Sequence, residues 1–246
     1  MKVAVLFHGK FREPELKYKT QISNLVMKHF KTSYFQFHID FFGHIWDENN
    51  DDYTMFGDNI ITEKNSDYNK IINDIYKYTQ LSNHNYWVKG RAKAQISNLI
   101  SICKAIDSFK TKTLNIQEYN YVILFRPDYI VWEKIEIPLN INEDTFYINK
   151  HGDNIESGES IFILHQNKLN LFKKLLNDVT IGNIIPKCHF FYYNYFININ
   201  KMSCELLNYD VGKNCEQVTL LHLYNQNNIN LQKLLKGNEI LTTLRR

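Results

Sequence analysis

An apolar run, Tyr121-Val122-Ile123-Leu124-Phe125, ends abruptly in Arg126-Pro127-Asp128. A guanidinium grips phosphate or carboxylate oxygens through paired N–H donors, and a neighbouring carboxylate holds a divalent cation or a ribose hydroxyl. A second place for chemistry is His8-Gly9-Lys10-Phe11-Arg12, which follows another apolar run. There glycine permits close backbone approach and two cations face an anion. Arg91, Gln95 and Asn98 recur at helical spacing and share a polar stripe. Carboxylates for proton abstraction stand at Asp153, Glu156 and Glu159, in a segment that also holds His151, Gly152 and Gly158.

Positioning these groups requires strands that end where they lie. Lys2 to Phe7 reads as a buried strand, and Glu13-Pro14-Glu15 after it as a helix start, because proline in the first turn loses no needed donor. That helix runs to about Lys31. Tyr34 to Phe42 reads as a second strand, with Gly43-His44-Ile45-Trp46-Asp47 turning out of it. From Arg91 to Phe109, Ile96, Leu99, Ile100, Cys103 and Ile106 recur as the apolar face of a helix. The Tyr121–Phe125 strand follows, then a strand at Ser160 to Leu164, a helix from Asn167 to Asn177 and an apolar helical stretch from Glu216 to Tyr224. Strands alternating with helices predict an α/β fold with a mostly parallel central sheet flanked by helices. In such sheets ligands sit beyond the carboxyl ends of the strands, where Gly9 and Arg126 fall.

Composition narrows the class. The 246 residues are 44% hydrophobic, enough for a sizeable core, and no repeat or linker divides them, so 1–246 reads as a single domain. A formal charge of +3 gives no reason to expect nucleic acid. No apolar run is long enough for a signal-peptide core or a membrane span, which points to the cytoplasm. Cys103, Cys188, Cys204 and Cys215 form no CxxC pair, so thiols are expected rather than disulfides or zinc. Asp47-Glu48-Asn49-Asn50-Asp51-Asp52 lacks the glycine and terminal glutamate of an EF-hand and reads as a solvated loop. The histidines form no HExxH pair, and neither GxGxxG nor GxxxxGK[ST] occurs, which counts against dinucleotide oxidoreductases, P-loop enzymes and methyltransferases with a glycine-rich first loop.

Taken in order, four segments resemble the GT-A-type nucleotide-sugar glycosyltransferases of bacterial and viral polysaccharide (capsule and lipopolysaccharide) biosynthesis. The first strand with Gly9 and Arg12 looks like that group's strand-Gly-x-x-Arg opening. His38 to Asp47 looks like its aspartate-led strand ending in a His-x-Trp-Asp turn. Gln95 to Ile106, followed by Tyr119 to Asp128, resembles its helix and strand ending in Arg-x-Asp, the counterpart of Asp-x-Asp. Glu216 to Leu223 is similar to a closing helix that contains a glutamate.

The resemblance implies a Rossmann-like GT-A sheet and transfer of a sugar from a nucleotide-diphosphate-sugar donor to a hydroxyl of a glycan or lipid-linked saccharide. Gly9, Lys10, Arg12, Arg91, Gln95, Arg126 and Asp128 would bind the donor, and Glu159 or Asp153 would take the acceptor proton in an inverting reaction. Arg126 stands where the group has its first aspartate. Two arrangements follow: a manganese or magnesium site reduced to Asp128, or a metal-independent site in which Arg126 or Lys10 carries the charge. A non-catalytic glycan-binding module on the same fold is the alternative. Lys233, Lys236, Arg245 and Arg246 make the end of the chain basic, compatible with peripheral contact with an anionic membrane surface.

Overall fold

The computed structural model describes residues 1–10, 27, 37–49, 52–78, 86–127, 129–131, 142–150, 161–184, 186, 191–210 and 215–217. Strand β1 (Lys2–Lys10) is the spine, and Val3 to Phe7 are wholly buried. Its apolar run is continuous rather than alternating because both faces of the sheet are covered. Strands β2 (His38–Trp46) and β4 (Tyr119–Phe125) flank it in parallel, so that Leu6 pairs with Phe42 on one side and Leu124 on the other. Strand β3 (Ile60–Glu63) extends the sheet parallel to β2. Beyond β4 come β7 (Ile161–Leu164), β6 (Thr145–Lys150) and β8 (Ser203–Asp210), giving the order β3-β2-β1-β4-β7-β6-β8. Within this sheet β7 alone runs against the rest. The expected α/β architecture with a mostly parallel sheet is what the chain adopts.

Helix α1 (Asn69–Tyr78) precedes the long α2 (Tyr86–Lys112), and α3 (Asn170–Thr180) follows β7. The stripe expected on α2 is buried, and it joins Ala4, Leu6, Phe42, Val122 and Leu124 in one apolar cluster. Burying each such side chain is worth about 1.5–3 kcal/mol, which makes α2 the main lid on the β1–β2 face. Lys110 and Lys112 in the last turn of α2 suit the negative end of its dipole. On the opposite face Phe7 meets Phe41, Phe56 and Phe125, with ring centroids 5.9, 4.6 and 6.1 Å away. No described helix is long and apolar enough to cross a membrane.

Three expectations are corrected. Gly43 to Trp46 are strand, not turn: Gly43 pairs with Phe7, and a Cβ at Gly43 would stand 2.6 Å from the Phe7 carbonyl oxygen. That glycine serves close strand packing, which a sequence reading mistakes for a turn signal. Likewise His8, Gly9 and Lys10 continue β1, because β2 runs on beside them to Trp46. Glu216 lies in a short strand, β9 (Cys215–Gln217), pairing Ile130 of β5 (Tyr129–Val131), so a helix does not begin there. The remainder of that stretch, the helix expected from Pro14 to Lys31 apart from Met27, and the basic chain end lie outside the described residues.

Candidate functional site

From β1 the sheet grows one way into β2 and β3, and the chain then crosses to place β4 on the other side of β1. Such a reversal leaves a crevice at the carboxyl ends of β1 and β4. Lys10 ends β1 and Arg126 follows β4, and both line a cleft of about 600 Å³ whose other walls come from α1 and the first half of α2. A cleft of this size suits a ligand of several hundred daltons.

Two hydrogen-bond chains fasten β1 to α2 beneath the cleft. Asn98 donates through Nδ2 to the Tyr192 hydroxyl at 3.1 Å, which leaves its Oδ1 to accept from His8 Nδ1–H at 2.9 Å. The Gly9 N–H donates to Ser101 Oγ at 2.7 Å, and Ser101 lies 2.9 Å from His44 Nδ1. His44 Nε2 is 3.2 Å from Glu63 Oε2, which Lys104 Nζ reaches at 2.6 Å. Burial pushes His8 down to about 3, assisted by the Arg126 charge, and His44 down to about 4 against the pull of Glu63. Both imidazoles are neutral at pH 7. A neutral His44 donates Nε2–H to the carboxylate, and the single Ser101 O–H is shared between Nδ1 and the His44 carbonyl oxygen, 3.0 Å away. The serine, histidine and carboxylate stand in the order of a nucleophile relay, yet Ser101 is fully buried and its oxygen already accepts from Gly9. Its role is to hold the end of β1. Gly9 itself sits at φ +102°, a conformation that favours glycine.

One turn along, the same elements turn polar groups outward. The cleft lining has three cations, Lys10, Lys93 and Arg126, beside the carboxamides of Asn65, Asn69, Asn73, Gln95 and Asn98. No carboxylate is among its described residues. Fixed cations and amide dipoles on a crevice with apolar walls attract an anion that also offers hydroxyls. Trp46 closes one side, edge-on to His44 at 4.4 Å between centroids, with its indole N–H donated to the Ser97 carbonyl at 3.3 Å.

Of the residues expected to bind a ligand, Gly9, Lys10, Gln95 and Arg126 meet in this one cleft. Arg91 lies on the first turns of α2, where the backbone alone is described. Arg12, Asp128, Asp153 and Glu159 lie outside the described residues. Asp47 departs from the solvated loop expected of its segment: it is buried, and its Oδ1 accepts from Asn49 N–H at 3.0 Å. Lys93 and the asparagines of α1 were not expected in a site. The signal for Lys93 was its four-residue spacing from Ser97 on α2, and for Asn69 and Asn73 the same spacing on α1.

This is an α/β protein with a cationic, carboxamide-rich crevice at the reversal point of its sheet. No protein-family model and no curated protein sequence matches the chain. Solved structures similar to it include a glycosyltransferase involved in glycosylation of the major capsid of PBCV-1, at 11% identity and TM-score 0.44, covering 86% of this chain and 82% of that one. The glycosyltransferase GlyE of Streptococcus pneumoniae is similar at 10% identity and TM-score 0.44, over 83% of this chain and 45% of that one. The catalytic domain of Drosophila β1,4-galactosyltransferase 7, in complex with xylobiose, is similar at 9% identity and TM-score 0.43, over 97% and 80%. None of these likenesses assigns an activity to this chain.

Proposed function

We propose that the chain, folding as one domain over 1–246, is a GT-A-type glycosyltransferase that moves a sugar from a nucleotide-diphosphate-sugar donor to a hydroxyl of a surface glycan. The observation that carries this reading is the meeting of Gly9, Lys10, Gln95 and Arg126 in one cleft at the carboxyl ends of β1 and β4. In the transfer, the bond from the anomeric carbon to the β-phosphate oxygen breaks and the acceptor oxygen bonds to that carbon. The departing nucleoside diphosphate gains negative charge, which fixed cations must meet. Arg126 and Lys10 supply it, Gly9 brings backbone close to the nucleotide, and Gln95 holds the donor. Arg12 and Arg91 add charge from the neighbouring segments. Glu159 or Asp153 takes the acceptor proton if the anomeric configuration inverts.

A manganese or magnesium ion is the usual alternative source of positive charge for such a leaving group. The described lining offers cations and amides but no carboxylate, a donor set that does not fit a hard divalent cation. Asp128, the residue expected to hold one, lies outside the described residues, and no step here passes through a metal.

Melting the protein with UDP, GDP and CDP, with and without manganese, tests the reading. A ligand that binds only the folded state at 100 times its Kd adds about 2.7 kcal/mol, which lifts the midpoint by several degrees. A midpoint unmoved by every nucleoside diphosphate overturns the reading, whereas nucleotide binding without release of free sugar or sugar transfer reduces it to a binding module.

A further inference from the structure

Helix α1 distributes its polar residues unevenly. Asn69 and Asn73, four residues apart and so on one face, line the cleft, and Asn65 joins them from the turn just before the helix. Asn69 and Asn73 are both exposed to the open cleft, and the charged residues of the helix, Lys70, Asp74 and Lys77, are not among its lining, the last two being paired at 3.0 Å. Asparagine is a poor former of helix interiors, so Asn73 works against local stability, whereas Asn69 opens the helix, where asparagine is tolerated. Nothing within the described protein compensates, since neither the Asn69 nor the Asn73 carboxamide has a hydrogen-bond partner among the described residues. Asn65 accepts from Ser97 Oγ at 3.0 Å, which fixes its carboxamide and leaves the Nδ2 donors unused.

A carboxamide presents a donor and an acceptor side by side without net charge. A sugar hydroxyl is likewise donor and acceptor, and adjacent ring hydroxyls match that spacing. Ile72 and Trp46, both buried, form the apolar backing of that part of the cleft. Of the three cleft cations, Lys10 and Arg126 stand at the strand ends and Lys93 on α2, and none is on α1.

We propose that Asn65, Asn69 and Asn73 form a saccharide-reading wall, which grips a pyranose by its hydroxyls while the strand ends take the phosphates. The inference rests on the nucleotide-sugar reading and deepens it. The sugar belongs either to the donor or to the acceptor, and the chemistry is the same for both.

Calorimetric titration separates these. Wild type and the N69A/N73A double variant are titrated with UDP and GDP alone, then with a panel of UDP- and GDP-hexoses, then with methyl glycosides in the presence of the diphosphate. The wall predicts a gain in affinity of tenfold or more for a saccharide-bearing ligand over the bare diphosphate in the wild type, lost in the variant. Two neutral hydrogen bonds account for a change of that size. Affinity for the diphosphate alone stays within twofold, and a melting midpoint no lower than wild type shows that the variant folds. Loss of the increment for a nucleotide sugar places the donor's sugar at the wall, and loss for a methyl glycoside places the acceptor's. The same saccharide increment in both proteins, no increment in the wild type, or a diphosphate affinity that falls with the double variant overturns the wall. A wild type that binds no diphosphate at all overturns the nucleotide reading instead, a separate outcome.

Discussion

The fastening between β1 and α2 and the cleft one turn away are built from the same two elements, and they treat polar groups in opposite ways. In the fastening, Gly9 N–H, Ser101, His44, Glu63 and Lys104 satisfy one another in a closed chain, and both histidines are held neutral. In the cleft, Lys10, Lys93, Asn69 and Asn73 face open space, where solvent or a ligand completes their bonding. Buried polar groups must be paired or their desolvation destabilises the fold, whereas exposed ones keep their valence for a ligand. Chemistry-bearing residue types therefore mean different things a few residues apart: Ser101 only holds the strand, Asn98 holds it from the wall of the cleft, and Lys93 lines the site alone.

Acid should separate the two regions most strongly. His8 and His44 titrate near 6.5 when unfolded and near 3 and 4 when folded, so below pH 6.5 the unfolded chain binds more protons. Their contribution is fully present above pH 6.5 and is lost as pH falls toward 4, at up to about 1.4 kcal/mol per pH unit for each histidine. Glu63, lowered chiefly by its bond to Lys104 against the opposing effect of burial, acts in the same direction at lower pH. Chemical denaturation from pH 7.5 to 4 should show a steep decline, and His44→Gln should remove part of the slope. A flat profile would mean that the histidines are not held neutral.

Replacing a cleft cation should do the reverse, sparing stability and costing binding. Arg126→Ala is expected to reduce sugar transfer about 100-fold, in line with removal of one charge-stabilising donor, and to weaken nucleoside diphosphate binding in calorimetry. Ser101→Ala should invert that pattern. It strands the buried Gly9 N–H and the His44 ring, costing about 2 kcal/mol and roughly 4–8 °C in melting midpoint. If Ser101→Ala instead leaves the midpoint alone and abolishes activity, the fastening is part of the site after all.

Much of this arrangement could be read from the sequence where period and length are strong. The β1 and β4 runs are continuous because both faces are covered, and the α2 stripe spans several turns. What escaped the reading is short or depends on tertiary contact. Strand β3 has four residues and takes its place from pairing with β2. Gly43 looks like a turn until the Phe7 carbonyl beside it is known. Within the site, Gly9, Lys10, Gln95 and Arg126 were legible because strand ends and a polar helix stripe announce themselves. Asn65, Asn69 and Asn73 were not, because asparagine is common along the chain and only the packing of α1 against α2 brings these three to the edge of one cleft. The burial of Asp47 was hidden for the same reason, inside an acidic run that reads as solvent-exposed.

The smallest effect falls at the junction of the two regions. Gly9 donates to Ser101 on one side and lines the cleft on the other, at φ +102°. A Cβ there meets Asn98 Oδ1 at 3.7 Å, an ordinary contact, so space does not require glycine. The backbone conformation does, and Gly9→Ala should cost about 1 kcal/mol or slightly more in stability. Because the methyl group points toward the residue that anchors His8 rather than at a cation, nucleoside diphosphate affinity should fall less than with Arg126→Ala. Equilibrium denaturation and calorimetry on the one variant read both sides of the junction. A loss of affinity as large as that of Arg126→Ala, at unchanged stability, would mean that ligand approaches the Gly9 backbone itself and that the boundary between fastening and cleft lies one residue earlier, at His8.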